Sequence, residues 1–242
     1  MKIQNDLLNY SNMKIVQDSE MFKFSLDSVL LPNFVTINKS VKNILDIGCG
    51  NAPIPLILST KTNAKIKGIE IQREVFELAY ESVKLNKLED QIEIINGDIK
   101  KLASEWNTEM FDLITCNPPF FKVTKDANLN CCQYQTRARH EIDLTLEQLI
   151  KISCKLLKNK GVLGIVHRPE RLAEIFSLFK KYNLEPKKLQ FVYPKVNKEA
   201  NIVLIEATKN GNSGLKIEKP LFVHEEDGSY TKEILKCFEE GD

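Results

Sequence analysis

From Asn43 onward the chain alternates short runs rich in β-branched residues with longer segments of helical period, and that alternation leaves few folds open. The runs are 43–48 (NILDIG), 65–70 (KIKGIE), 91–96 (QIEIIN), 111–116 (FDLITC) and 161–167 (GVLGIVH). Between the second and third, Val75, Leu78, Ala79, Val83 and Leu85 share one broad face of a helix over 73–86. A second helix over 145–157 opens with a capping box if Asp143 or Thr145 is its N-cap, and a third opens at Arg168-Pro169 and runs through Leu172, Ile175, Phe176 and Phe179. Runs 189–193 and 200–208, joined by a short polar loop, read as an antiparallel hairpin. Strands alternating with helices imply a mostly parallel sheet covered on both faces, an α/β fold. Ahead of it, 25–37 reads as a helix preceded by the polar segment 13–23. With no Gly/Pro/Ser-rich linker and no repeat, 1–242 is expected to be one domain. Its parts are a helical N-terminal extension over 1–40, a core over 41–210 and a C-terminal tail over 211–242.

Composition closes off other classes. Forty-three per cent hydrophobic residues in 242 suffice for one substantial core, and 34 basic against 33 acidic side chains exclude a disordered polyelectrolyte. No apolar run approaches the length of a membrane span, and residues 1–11 lack a secretory h-region, so a cytoplasmic protein is expected. The six cysteines form no C-x-x-C pair, and adjacent Cys131 and Cys132 have no partners at ligand spacing. Reduced thiols and no metal are the expectation.

Asp46-Ile47-Gly48-Cys49-Gly50-Asn51 lies where the first strand ends. So tight a turn needs small residues where a ligand approaches the backbone. A dinucleotide fingerprint would need glycine at position 53, and this chain has Pro53 with Pro55 beyond it, which disfavours a docked pyrophosphate. Glu70 ends the second strand, where a carboxylate can accept from both ribose hydroxyls of a nucleoside cofactor. Asp98 follows the third strand and can accept from an adenine amino group, with Ile99 against the ring. Any one of Asp46, Glu70 and Asp98 could simply cap a loop. Three at the carboxyl ends of consecutive strands point to a binding crevice.

Asn117-Pro118-Pro119-Phe120 follows the fourth strand directly. Two prolines make the segment stiff and aim its carbonyls outward. An exocyclic amine on a base or amide is a poor nucleophile because its lone pair is delocalised. Hydrogen bonds from that amine to the Asn117 side-chain oxygen and the Pro118 carbonyl favour a more tetrahedral nitrogen, while Phe120 can stack on the planar substrate. Catalysis would then be largely positioning. A base must leave its stack to reach such a pocket. The bland reading is a strand ending in a proline turn.

Five strand–helix units closed by a hairpin resemble the Rossmann-like class I methyltransferase fold, a seven-stranded mostly parallel sheet with one antiparallel strand. D-I-G-C-G-N, the acidic end of strand two and N-G-D after strand three look like its S-adenosylmethionine site. The resemblance implies Gly48, Cys49 and Gly50 at the methionine part, with Asp46 acting partly through loop shape. It also implies Glu70 at the ribose, Asp98 and Ile99 at the adenine, Ile71 among the residues that bind the cofactor, and Asn117 touching both cofactor and target. The helix start at 25–27 would help close the methionine end. Asn-Pro-Pro-Phe matches the element of amino-methyltransferases acting on adenine N6, guanine N2 or a glutamine amide, and does not choose among them.

The segments FKFSLDSVLL (22–31), DIGCGNAPIP (46–55), NPPFFK (117–122), ARHE (138–141) and PLFVHEEDGSYT (220–231) occur in that order. Together they resemble the bacterial tRNA1(Val) (adenine37-N6)-methyltransferase family over nearly the whole chain. Membership implies methyl transfer to the adenosine beside the anticodon of a valine tRNA. A tRNA partner suits the rim after the Asn-Pro-Pro-Phe segment, where Lys122, Lys125, Arg137, Arg139 and His140 are interleaved with Tyr134. No base is demanded, because the methylated amine loses its proton readily, so His140 is read as structural or RNA-contacting. Residues 151–198 carry twelve basic side chains against three acidic, which suits either RNA or solvated helix faces. Two other readings stay open: a methyltransferase for rRNA guanine N2 or a protein glutamine amide, and a non-catalytic protein that binds cofactor and RNA. The intact Asn-Pro-Pro-Phe segment argues against the second.

Overall fold

Each strand that the alternation predicts lies in one sheet. The computed structural model describes residues 2–10, 13–18, 25–118 and 144–239. In chain order the elements are β1 (Lys2–Asp6), β2 (Lys14–Asp18), α1 (Leu26–Phe34), β3 (Asn43–Ile47), α2 (Pro53–Lys61), β4 (Lys65–Glu70) and α3 (Arg73–Leu85). There follow β5 (Ile92–Asn96), α4 (Ile99–Glu105), β6 (Phe111–Cys116), α5 (Leu146–Leu156), β7 (Leu157–His167) and α6 (Leu172–Lys181). The chain closes with β8 (Leu184–Tyr193), β9 (Ile202–Lys209), β10 (Lys216–Ile217), β11 (Leu221–Phe222) and α7 (Lys232–Cys237).

The sheet runs β8-β9-β7-β6-β3-β4-β5, and β9 alone lies antiparallel to its neighbours. This is the expected seven-stranded, mostly parallel sheet with one antiparallel strand. Short β10 and β11 extend it, pairing parallel with β8. Alternate residues of each strand feed two cores. Ile44, Ile66 and Leu113 face α1, α2 and α3, while Leu45, Ile69 and Ile114 face α4, α5 and α6. Helix α5 begins at Thr145 with the anticipated capping box, closed by Gln148.

The N-terminal end differs from the expectation. The N-terminal extension, expected to be helical, carries an antiparallel β1–β2 hairpin ahead of α1. β2 is held by side chains of other elements: Val16 N–H donates to Ser82 Oγ at 2.9 Å, and Asn86 brackets Lys14 through its N–H and C=O. The C-terminal tail packs into the core, with Ile234 of α7 fully buried. Tyr10 donates its hydroxyl to the Cys237 carbonyl at 2.7 Å, so the two ends of the chain clasp each other beside α1.

One row across the α1 face of the sheet departs from apolar filling. Gly68, Asp46, Thr115, Gly164, Glu206 and Lys188 stand side by side on six adjacent strands. The far half of this row seats the carboxyl end of α1. Glu206 accepts from Thr36 N–H at 2.7 Å, and Lys188 donates to the Phe34 carbonyl at 2.6 Å with its ammonium over the Phe34 ring. Gly164 leaves room for Val35, whose Cγ1 would overlap a Cβ built there. Gly164→Ala should therefore cost about 1–3 kcal/mol by overpacking, measured by urea unfolding. A loss below about 0.5 kcal/mol would mean that α1 does not bear on this strand.

Candidate active site

The glycine loop is shaped by its backbone. Gly48 and Gly50 have φ of +71° and +58°, a left-handed conformation that side chains disfavour. The N–H groups of Gly48 and Cys49 both donate to the Ile69 carbonyl at 2.9 Å, folding the loop back over β4. A Cβ built on Gly48 or Gly50 would meet nothing within 4 Å, so open space lies over the loop. The Cys49 side chain is buried, packed where a Cβ on Gly68 would stand, so its thiol belongs to the sheet side of the loop. Asn51 donates to the Val16 carbonyl at 2.9 Å, which ties the loop to the N-terminal hairpin. Ala52 is the left-handed N-cap of α2, and Pro53 opens that helix at a position where no N–H is needed.

The three carboxylates take different stations. Asp46 is fully buried and accepts from Thr115 Oγ1 at 2.6 Å, while its Oδ2 has no partner among the described residues. Burial, opposed by the Thr115 hydroxyl and helped by the Glu70 charge, pushes its carboxyl up to about 7. Glu70 is 5% exposed and accepts from Gly50 N–H at 3.1 Å and Gln72 N–H at 2.9 Å, so it braces the loop from the next strand. Asp98 is the N-cap of α4, accepting from Lys100 N–H at 2.9 Å. Of the two isoleucines expected at the cofactor, Ile71 is exposed at the carboxyl edge, while Ile99, the first residue of α4, is buried in the core rather than open to a ring.

Asn117 and Pro118 emerge beside this loop. Cys116 pairs in register with Ile47, so the residues that follow each strand are neighbours at the carboxyl edge. Asn117 is half-buried, and its Nδ2 donates to Ser28 Oγ at 3.1 Å. Ser28 lies in the first turn of α1, where Asp27 is also buried and its carboxyl raised by that burial against the nearby Arg168 charge. His167 ends β7 fully buried, and burial followed by the Arg171 charge brings it down to about 4, so it is neutral near pH 7. Sequence reasoning placed 25–27 at the site but missed Ser28 and Thr115. Their signal was present, since both sit next to residues it had singled out.

Pro119, Phe120, Lys122, Arg137, Arg139 and His140 lie outside the described residues. Within 151–198, several basic side chains are committed to the fold: Lys158 pairs with Asp112 at 2.8 Å, Lys181 with Glu147 at 2.6 Å, and Arg168 donates to the Asn201 carbonyl. Those pairs favour the reading of this stretch as structural and solvated faces. Among the described residues no His, Cys, Asp and Glu cluster could hold a metal ion, and no helix is long and apolar enough to cross a membrane.

Residues 38–203 match the family described as "Methyltransferase domain". Two relatives named tRNA1(Val) (adenine(37)-N6)-methyltransferase resemble the chain throughout. The one from Flavobacterium psychrophilum is 27% identical over 95% of this chain and 96% of its own. The one from Porphyromonas gingivalis is 29% identical over 97% and 94%. In fold the chain is similar to a predicted O-methyltransferase from Agrobacterium tumefaciens, with a TM-score of 0.68, 21% identity and coverage of 88% and 95%.

Proposed function

The chain belongs to the methyltransferase-domain family, and on that premise we propose that it transfers a methyl group from S-adenosylmethionine to the N6 amine of an adenosine in tRNA, adenosine 37 of a valine tRNA. The observation that carries this reading is the adjacency of Asn117 and Pro118 to the glycine loop across the paired ends of β6 and β3. A cofactor loop and an amine acceptor stand side by side. The names of the two relatives supply the nucleotide and the tRNA.

The residues present fit the cofactor. Gly48 and Gly50 leave open space over a backbone turn, and Asp46 keeps an unmatched buried oxygen beneath it. A cationic methionine moiety over the loop would offset that carboxylate, and Glu70 on the next strand would meet the ribose. When bound, S-adenosylmethionine supplies an electrophilic sulfonium methyl. The protein's part is to present the nucleophile. Asn117 Oδ1 and the Pro118 carbonyl accept from the two N–H groups of the target amine, which localises the nitrogen lone pair. The methyl would pass to that nitrogen as the thioether leaves with the S–C electron pair, and Asn117 and Pro118 hold the nitrogen in place for it. The product nitrogen then releases a proton to solvent, so His140 is not required as a base. Lys122, Arg137 and Arg139 would grip the phosphates.

The test is incorporation of labelled methyl from S-adenosylmethionine into unmodified total tRNA, followed by nucleoside analysis. N6-methyladenosine is the expected product, and it should disappear when the substrate is a valine tRNA with guanosine at position 37. Label in ribosomal RNA or protein amide, with tRNA unlabelled, would replace this reading.

A further inference from the structure

An apolar hollow of about 270 Å³ lies between α1 and α7, lined by Phe34, Leu221 and Cys237, with no feature that selects an occupant. The polar contact between α1 and the Asn-Pro segment carries more. We propose that Ser28 is a positioning residue for Asn117: its hydroxyl holds the amide so that the carboxamide oxygen presents toward the target amine. This rests on the reading of Asn117 as the amine acceptor.

A carboxamide has a donor end and an acceptor end on opposite sides of Cγ. Rotated by half a turn, Asn117 would offer N–H groups to an amine that itself donates, and the pocket would repel its substrate. With Ser28 Oγ accepting from Nδ2 at 3.1 Å, the donor end of the amide faces α1 and the acceptor end faces away from it. Ser28 is only 6% exposed, so water competes poorly for that bond. The acceptor is itself well anchored. Ser28 N–H donates to the Ser25 carbonyl at 3.1 Å, and the carboxyl end of α1 is fixed on the sheet by Gly164, Glu206 and Lys188. Pro32, one turn on, lacks the N–H that would bond the Ser28 carbonyl in a regular helix, so α1 is opened at the residue that meets Asn117. The N-terminal helix, outside the cofactor loop, thus sets the orientation of the amine acceptor.

Ser28→Thr and Ser28→Val test this as an isosteric pair. They add the same bulk and differ only in hydroxyl against methyl. Single-turnover methylation of a tRNA substrate, with cofactor affinity by calorimetry, is the readout. The Thr variant should turn over at least about tenfold faster than the Val variant, with the two cofactor affinities within about threefold of each other. In an Asn117→Ala background the Thr/Val difference should vanish, since the amide to be oriented is gone. Equal rates for Thr and Val, or a difference that persists without Asn117, would overturn the positioning role while leaving the amine-acceptor reading intact. Full activity in Asn117→Ala alone would instead remove the reading on which it rests.

Discussion

Asn117→Ala should lower the rate of methyl transfer by about 10²–10³ while leaving affinity for S-adenosylmethionine within about threefold. The first effect follows from the loss of one of two acceptors aimed at an amine whose nitrogen must pyramidalise to react. Only in the transition state do those hydrogen bonds reach full strength, so their removal falls on turnover. The second follows from the loop's construction. Gly48, Cys49 and Gly50 are shaped by Ile69 and Glu70 on β4, and neither depends on the Asn117 amide. Single-turnover kinetics and calorimetry on the same preparations separate the two. Turnover within threefold of wild type would show that the target amine is held by something else. A loss confined to cofactor affinity would place Asn117 in the cofactor site alone.

The strands at the site were legible because each ends where apolar residues meet glycine, a carboxylate or asparagine, as at Ile47-Gly48, Glu70 and Cys116-Asn117. Local pattern sufficed there. It failed where pairing partners are distant. Lys2–Asp6 is exposed along its whole length, so it carries no alternation to mark a strand, and β2 is held through Ser82 and Asn86, some seventy residues away. The row from Gly68 to Lys188 has the same character. A buried aspartate, two glycines and a glutamate have no shared period in sequence, and only the register across six strands makes them one feature. At the site, chemistry showed in residue types. The division of labour among carboxylates did not, because Asp98 and Glu70 differ mainly in which backbone N–H groups lie within reach. Ile71 and Ile99 likewise look alike in sequence, and the start of α4 decides which is buried.

Asp46 gives the second large effect, in stability rather than rate. Its carboxyl is raised from an ordinary 3.8 to about 7 by burial, with Glu70 adding and Thr115 opposing. Between those values the folded protein holds a proton on Asp46 that the unfolded chain has released. Unfolding therefore releases a proton, and stability falls as pH rises from about 4 to about 7, then levels. Three units correspond to as much as ~4 kcal/mol. Asp46→Asn keeps an oxygen for the Thr115 hydroxyl and has nothing to ionise, so its stability should lack that slope. The variant should match wild type near pH 4 and exceed it at neutral pH, measured by urea unfolding without cofactor across that range. Subtracting the two curves isolates Asp46, since other groups titrate in both. Parallel curves would mean that Asp46 ionises at an ordinary pH in the folded protein. The site has a reason to keep the costlier residue. A cation seated over the glycine loop favours the ionised carboxylate, so cofactor affinity should rise with pH through about 7 in wild type and stay flat in Asp46→Asn, with proton release on binding in wild type alone.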